Sequence, residues 1–349
     1  MADFSGAERS GVELHGEHGD KNERNESWMG GAEMRNRVLI AGLATLVLVV
    51  IALECDLGVV LTDRGMHTTR RPITLEDIQA AHAIADREHA VISDVQIAAA
   101  DGSILRAWSF VPRAGNGDAV IVQHGQGDNR VGMLGYAEIL LRHGYAVLLP
   151  DSRAAGTSGG AFLTFGVLEA GDFNLWHDWL KRGESPRCIY AIGNSMGAAI
   201  VLEAQAREPG YCAVVAESGF SSFRQTAYLR MGQTFGTGPW LGQTLLLPTV
   251  EAGLIYARLK YKVDLADSSP VEAVRRAHVP ILLIHGLADG NLPPVNSERI
   301  KAADPDAQLW EPARAGHCGA LSTAPEEYER RVDGWFVSHD RAINMSQSR

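Results

Sequence analysis

The sequence lacks the short motifs that hold metals, phosphates and nucleotides. It has no two cysteines separated by two residues, no H-E-x-x-H pattern, no G-K-[S/T] phosphate loop and no G-x-G-x-x-G after an apolar run. Such patterns place the thiolates, imidazoles and backbone amides that zinc, phosphates and dinucleotides need. We therefore expect no metal and no cofactor.

A basic surface and a cysteine framework are missing as well. Lysine and arginine together number 32 against 42 acidic residues, and the formal net charge of -10 argues against a nucleic-acid partner. The four cysteines are widely spaced and predict neither a zinc site nor a disulfide framework. They are Cys55, Cys188, Cys212 and Cys318.

The N-terminal part of the chain divides by charge. Residues 1–36 are polar and lack hydrophobic periodicity, so we expect a disordered tail. Residues 38–53 carry no charge and follow Arg35 and Arg37, which favours a transmembrane or signal-anchor helix over residues 37–61. A cleaved signal peptide and a buried core helix are the alternatives. An anchor with these flanking charges places the following domain outside the cytoplasm.

The rest of the chain has the pattern of one α/β domain. Residues 62–92 form a predicted connector, and from residue 93 to residue 340 short apolar runs alternate with helix-like stretches. This alternation predicts a mostly parallel central sheet with helices on both faces. Glycine and proline break the alternation at residues 219–268, which we interpret as a small lid insertion; an enlarged crossover helix is the alternative. Residues 341–349 form a predicted tail.

The residues around Ser195 have the pattern of a nucleophile elbow. An apolar strand-like run ends in Gly193-Asn194-Ser195-Met196-Gly197, and a helix-like run follows. This arrangement raises a serine above the sheet at a helix N-terminus, where free N–H groups favour a developing negative charge. Glycines on both sides avoid collisions in so tight a turn. Ser195 is therefore the predicted nucleophile.

A serine nucleophile needs a base, and the base needs an acid that orients it. Asp289 follows the apolar run 279–285, and His317 follows the run 307–312. Functional groups in open α/β sheets gather beyond the carboxyl ends of the strands, so both side chains are predicted to reach Ser195.

Weaker candidates stand beside these three residues. Asp264 and Asp267 are alternative acids, but they precede the strand that should deliver the acid. His285 lies at the end of that strand and is interpreted as structural.

An oxyanion hole and a substrate pocket complete the predicted site. The backbone N–H groups of Met196 and Gln126 are the expected oxyanion donors, since one follows the nucleophile and the other lies in the loop after an earlier strand. Glu217, at the end of the next strand, and Trp240, in the lid insertion, are weak candidates for substrate binding.

Several short motifs extend the pattern beyond the predicted triad. They are HGQGDNR at 124–130, DSR at 151–153 with GTS at 156–158, SP at 269–270, VP at 279–280, and His285-Gly286 with Asp289. Together with the elbow they resemble the alpha/beta-hydrolase superfamily over about residues 93–340. Within it, the chain is similar to the serine-aminopeptidase-like hydrolases and their membrane-anchored relatives.

This resemblance implies the alpha/beta-hydrolase fold, a Ser-Asp-His triad without a metal, and often an N-terminal membrane helix. Two departures occur: Ala154 and Ala155 stand where a glycine is usual, and Asn291-Leu292 stand where an apolar residue usually precedes proline. Neither departure removes a predicted catalytic group.

The sequence therefore predicts a membrane-anchored serine hydrolase that cleaves a carboxylic ester or thioester through an acyl-enzyme. The apolar lid insertion favours an acyl or aryl ester over a charged peptide. A serine aminopeptidase or acyl-peptide hydrolase is an alternative, and Glu217 would then hold the free amine. A non-catalytic, membrane-anchored scaffold protein is an alternative of another class.

Overall fold

The computed structural model describes residues 20–207, 210–277 and 279–340, with side chains from residue 33 onward. The chain divides into two units between Leu53 and Glu54. The first nineteen residues of the predicted N-terminal tail, and the predicted C-terminal tail at 341–349, lie outside the described residues.

Helix α1 (Asp20–Met66) begins within the predicted tail and continues beyond the predicted boundary at residue 61. Its section Glu33–Met66 is long and apolar enough to cross a membrane, and the mean hydropathy over its most apolar 18 residues is 2.7. None of that apolar window is buried, so this section does not match the alternative of a buried core helix. Such a helix can serve as a membrane anchor or as a signal sequence.

Eight strands form a single sheet within the described residues, in the spatial order β1-β2-β4-β3-β5-β6-β7-β8. They are β1 (Ala90–Ala98), β2 (Ile104–Pro112), β3 (Ala119–Gln123), β4 (Ala146–Pro150), β5 (Ile189–Asn194), β6 (Val214–Glu217), β7 (Ile281–Ile284) and β8 (Gln308–Trp310). β2 pairs antiparallel with β1 and β4, and the remaining pairs are parallel. The prediction of a mostly parallel sheet is confirmed.

Helices cover both faces of the sheet, as parallel strands buried on both sides require. They are α2 (Leu75–Arg87), α3 (Leu134–Arg142), α4 (Glu169–Gly183), α5 (Met196–Arg207), α9 (Pro270–Arg276), α10 (Val295–Ala303), α11 (Ala320–Thr323) and α12 (Pro325–Ser338). Buried side chains of α2, α3 and α12 form a core with one face of the sheet, and those of α4, α5, α9 and α10 form a core with the other.

Three α-helices lie within residues 219–268, where the lid insertion is predicted. They are α6 (Phe223–Thr234), α7 (Trp240–Gln243) and α8 (Leu247–Lys260). We call residues 219–268 the cap. Its core contains Tyr228, Val250, Leu254 and Met66, the last residue of α1. The cap therefore shares its core with the end of the N-terminal helix.

The structure corrects the expectation for the cysteines. Cys188 and Cys212 form a disulfide, with their Cα atoms 5.7 Å apart. Cys188 directly precedes β5, and Cys212 lies just before β6. Because these two strands are parallel neighbours, residues at their amino ends meet, which wide spacing in the sequence does not reveal. Cys55 and Cys318 are free.

Candidate active site

The turn between β5 and α5 holds Ser195 at a strained backbone angle. Its φ of 55° lies in the left-handed region, which side chains other than glycine rarely adopt. A Cβ at Gly193 would lie 2.2 Å from the carbonyl oxygen of Gly197, and one at Gly197 would lie 2.3 Å from that of Gln123. Only glycine fits at either position, so the strand and the helix can approach closely enough to present Ser195.

The structure brings Ser195, His317 and Asp289 into one chain of hydrogen bonds. His317 Nε2 lies 2.9 Å from Ser195 Oγ, and its Nδ1 lies 2.8 Å from Asp289 Oδ2. With the proton on Nδ1, the ring donates to the carboxylate and Nε2 accepts from the serine hydroxyl. This geometry is suited to removing a proton from the hydroxyl.

Asp289 is held as a carboxylate by its surroundings. Its Oδ1 accepts the backbone N–H groups of Asn291 and Leu292, each at 2.9 Å. Burial opposes ionisation, but hydrogen bonds from His285 and His317 outweigh it and hold the pKa of Asp289 well below its usual range. A charged Asp289 can stabilise an imidazolium at position 317.

The unusual residue Asn291 has a partner in the cap. Arg230 on α6 donates to the carbonyl oxygen of Asn291 at 3.1 Å and to its Oδ1 at 2.6 Å. Burial lowers the pKa of Arg230, and the nearby carboxylate of Asp289 counteracts that effect. Asn291, which stands where the family usually has an apolar residue, therefore links the cap to the loop that carries the predicted acid.

The alternative residues take other positions. His285 is fully buried, lies 2.7 Å from Ser297 Oγ through Nδ1 and 2.9 Å from the carbonyl oxygen of Leu292 through Nε2. Asp264 accepts the backbone N–H of Ala266 and caps the short turn 265–267. Neither makes a hydrogen bond to Ser195 or His317 among the contacts within the described residues.

The predicted oxyanion residues lie beside Ser195. Gln126 and Met196 line the same cavity as the serine. A Cβ at Gly125 would stand 3.2 Å from the Cβ of Ser195, so the loop after β3 passes directly against the predicted nucleophile. The structure thus brings both predicted donors to the serine, and their role in binding an oxyanion stays a prediction.

His124 fixes the loop that carries Gln126. Its Nδ1–H donates to the carbonyl oxygen of Gly125 at 2.7 Å, and its Nε2 accepts the backbone N–H of Ser152 at 3.0 Å. Burial lowers the pKa of His124, which keeps the ring neutral as this pair of bonds requires. The loops after β3 and β4 are joined by this one side chain.

An apolar cavity of about 240 Å³ opens beside Ser195. It lies among the elbow, the loop after β3, the cap and the end of α1. Its apolar lining consists of Leu61, Phe165, Met196, Phe220, Phe223, Ala227, Met231, Val250, Leu254, Leu265 and Leu292. Arg230 is the charged side chain in this lining, which otherwise holds neutral residues of the described chain.

The two weak candidates for substrate binding lie outside this lining. Glu217 is buried, and its carboxylate accepts the hydroxyl of Tyr136 at 3.1 Å and the backbone N–H of Ala320 at 2.9 Å. Burial raises the pKa of Glu217, partly offset by these two bonds. Its position holds the loop that follows His317. Trp240 is 54% exposed on α7.

Sequence reasoning missed the partners of Glu217 and the contribution of α1 to the cavity. Asn194 donates to the hydroxyl of Tyr136 at 2.6 Å, which joins the elbow to Glu217 through a buried network. The sequence signal for the Glu217 network was a carboxylate at a strand end next to the elbow. The sequence held no signal for the face of α1 that lines the cavity, because the neighbours of this face lie about 190 residues away in the chain.

Among the described residues, no three His, Cys, Asp or Glu side chains are arranged to hold a metal ion.

The arrangement of the fold and the site is that of an alpha/beta hydrolase. It combines a mostly parallel sheet with helices on both faces, a strained serine after a central strand, and a histidine and a carboxylate at the same edge. The alpha/beta hydrolase family model matches residues 119–331, more than half of the chain. The chain therefore belongs to the alpha/beta hydrolase family.

The chain is also similar to individual proteins. The chain is similar to the esterase Pf2001 of Pyrococcus furiosus, with a TM-score of 0.58 and 26% identity over 73% of this chain and 95% of that one. It is 27% identical over 186 residues to the uncharacterized protein YqkD of Bacillus subtilis, covering 52% of this chain and 59% of that protein. It is 30% identical over 215 residues to Rv2307c of Mycobacterium tuberculosis, covering 60% and 66%. The chain spans less than two thirds of the length of these two relatives. Family and neighbour together support a hydrolase.

Proposed function

We propose that the protein is a membrane-anchored serine hydrolase that cleaves a carboxylic ester or thioester of an apolar acyl group. The chain of hydrogen bonds from Asp289 through His317 to Ser195, beside an apolar cavity, carries this proposal. The esterase among the similar structures supports the same reaction class.

In the proposed reaction, Ser195 Oγ attacks the carbonyl carbon while His317 Nε2 takes the hydroxyl proton. Asp289 orients the ring and stabilises the imidazolium. Collapse of the tetrahedral intermediate breaks the bond to the alcohol or thiol, which leaves with the proton from His317. A water molecule then attacks the acyl-enzyme and gives its proton to His317. The acid leaves, and the proton returns to Ser195 Oγ.

The negative charge that develops on the carbonyl oxygen would be bound by the backbone N–H groups of Met196 and Gln126. Both residues line the cavity beside the serine, and Met196 opens helix α5. Preorganised donors of this kind contribute a large share of the rate in acyl transfer, about 10²- to 10³-fold for each donor.

The lining of the cavity favours an ester over the aminopeptidase alternative. Binding the free amine of an aminopeptidase substrate needs a carboxylate. Glu217 already accepts hydrogen bonds from Tyr136 and Ala320 and lies outside the lining. Arg230, the charged side chain in the lining, would repel an ammonium group. The hydrogen bonds that join Asp289 and His317 to the strained Ser195 also argue against a scaffold without activity, because a passive surface needs no such arrangement.

We place the catalytic domain on the extracytoplasmic side of a membrane. Arg35 and Arg37 precede the apolar section of α1, which favours a cytoplasmic N-terminus. The disulfide between Cys188 and Cys212 supports the same side, because disulfides persist in oxidising compartments.

Labelling with a fluorophosphonate probe tests the proposed chemistry. The full-length protein in detergent should label, and labelling should vanish in Ser195→Ala and fall strongly in His317→Ala. Ser93→Ala, which removes an exposed hydroxyl on β1, is the matched control and should label like the wild type. Esters, thioesters and aminoacyl amides assayed in parallel separate the substrate classes.

Two outcomes would contradict the proposal. A folded wild-type protein that neither labels nor cleaves any of these substrates would favour the scaffold alternative. Faster cleavage of aminoacyl amides than of esters would favour the aminopeptidase.

A further inference from the structure

The end of α1 presents one face to the cavity beside Ser195. The residues of this segment that line the cavity are Gly58, Leu61, Thr62 and Gly65. Their spacing of three, one and three residues places them along a single stripe of a helix. All four follow the division after Leu53 and belong to the same unit as the hydrolase domain.

Close packing holds this stripe against the cap. A Cβ at Gly58 would lie 2.0 Å from the carbonyl oxygen of Thr249 on α8, and one at Gly253 would lie 2.2 Å from Thr62 Oγ1. The two helices therefore approach at a distance that requires glycine at position 58, and at position 253 a Cβ would displace the Thr62 side chain and lie 3.0 Å from the carbonyl oxygen of Gly58.

Polar contacts fix the same segment at its end. Asp63 Oδ1 accepts the hydroxyl of Tyr256 at 2.7 Å and the ammonium of Lys260 at 3.0 Å, and it also accepts the hydroxyl of Tyr261. The buried side chain of Met66 packs into the core of the cap. These contacts make the segment a fixed part of the domain rather than a free linker.

One contact reaches the predicted oxyanion loop directly. The side-chain amide of Gln126 donates to the carbonyl oxygen of Gly65 at 3.3 Å. The segment thus meets the cavity beside Gln126, next to the place where the carbonyl group of a substrate would lie if its oxygen pointed to Gln126 and Met196.

We propose that residues 58–65 of the N-terminal helix form a wall of the acyl-binding pocket and set the length of acyl chain that the enzyme accepts. This inference rests on the proposed function. An apolar cavity of 150 Å³ can hold benzene, so the cavity of about 240 Å³ has room for an alkyl chain of roughly eight to ten carbons. The helix is then a specificity element of the enzyme as well as its anchor.

Gly65 offers a sharp test of this wall. A Cβ added there meets Phe165 Cζ at 3.8 Å, an ordinary van der Waals contact, so a larger side chain fits at its base and extends toward the cavity. Gly65→Leu should lower the ratio of kcat/KM for p-nitrophenyl octanoate or decanoate to kcat/KM for the acetate by about tenfold or more. Gly65→Ala should give an intermediate shift.

Gly42→Leu is the matched control, because it makes the same substitution on the same helix. A Cβ at Gly42 meets no atom of the described residues within 4 Å, so its chain-length profile should equal that of the wild type. All variants are assayed as full-length protein in nonionic detergent, with fluorophosphonate labelling to count active serines.

Leu61→Ala gives an independent reading should Gly65→Leu fail to fold. Shortening this side chain widens the cavity, so activity on dodecanoate should rise relative to activity on octanoate. A labelled, active enzyme whose chain-length profile is the same in wild type, Gly65→Leu and Leu61→Ala would overturn the proposed wall. A wild type that neither labels nor cleaves any ester would instead overturn the proposed function itself.

Discussion

Strands β5 and β6 carry different features at their carboxyl and amino ends. We call the two sides of the sheet that these ends form the carboxyl edge and the amino edge. At the carboxyl edge, β5 leads into the strained Ser195 and β6 ends in the buried Glu217. At the amino edge, a disulfide joins Cys188 to Cys212. Strain and buried charge cost stability, whereas a covalent link between neighbouring strands increases it. The same two strands thus have a carboxyl edge that carries strain and the predicted nucleophile, and an amino edge that a covalent link stabilises.

The largest expected effect lies at the carboxyl edge. Replacing His317 with alanine removes the proposed base, which contacts Ser195, and we expect kcat/KM for a short-chain ester to fall by about 10⁴-fold or more. The melting temperature should stay close to that of the wild type. Kinetics and thermal unfolding of the same preparations measure both.

His82→Ala is the control for this variant, since His82 is exposed on α2. If His317→Ala kept more than a hundredth of the wild-type activity, the base would have to be another residue.

The next largest effect is expected at the amino edge, where the free energy of unfolding should fall while activity is kept. Replacing Cys188 and Cys212 together with serine removes a link between residues 24 apart, and the free energy of unfolding should fall by about 3 kcal/mol. Ester hydrolysis at 25 °C should stay within about twofold. Denaturant unfolding and kinetics provide the measurements.

Cys55→Ser, which removes a free cysteine, should change neither quantity. A double variant that lost its activity while remaining folded would show that the two edges are coupled.

Glu217 should produce a smaller effect that depends on pH. Burial raises its pKa, so the folded protein favours the protonated carboxyl more than the unfolded chain does. Its contribution to stability is fully present below a pH of about 4.5 and is lost as the pH rises through the folded pKa. The stability of Glu217→Gln relative to the wild type should therefore increase from pH 4 to pH 8.

Urea unfolding at several pH values measures this difference. Glu184→Gln, at an exposed position after α4, is the control for the substitution itself. Glu217→Ala leaves the N–H of Ala320 without its partner and should cost about 1–3 kcal/mol. A pH trend of the opposite sign would mean that Glu217 is ionised more readily in the folded protein.

Trp240 should produce the smallest effect. Its side chain is 54% exposed and lies outside the cavity lining, so Trp240→Ala should change kcat/KM for a soluble short-chain ester less than about twofold. The free energy of unfolding should change by less than about 1 kcal/mol. A tenfold loss of activity would instead support the substrate-binding role predicted from the sequence.

The sequence predicted the carboxyl edge well because each of its residues follows a recognisable strand. Ser195 has glycines on both sides, and Asp289 and His317 follow apolar runs that the structure confirms as β7 and β8. The structure brings all three together, while their catalytic roles stay proposals. Local patterns were enough, because the order of strands determines which loops meet.

The disulfide and the wall formed by α1 depend on contacts that no local pattern records. Cys188 and Cys212 each stand before a buried strand, but their pairing follows only when those strands are known to be neighbours. In the sequence, Gly58 is an ordinary residue of an apolar stretch. Its contact with the cap, which lies nearly 200 residues later in the chain, is visible only in the structure.

The close approach of Gly58 and Gly253 carries an evolutionary consequence. A Cβ on Gly58 would overlap the backbone carbonyl oxygen of Thr249, so a side chain there requires the two helices to move apart. A Cβ on Gly253 would displace the Thr62 side chain and would lie 3.0 Å from the carbonyl oxygen of Gly58. A lineage that repacks this part of the cap must change the end of α1 with it. Homologues that keep this contact should therefore exchange these two segments only as a pair, and chimaeras that mix them from different lineages should lose chain-length selectivity before they lose activity.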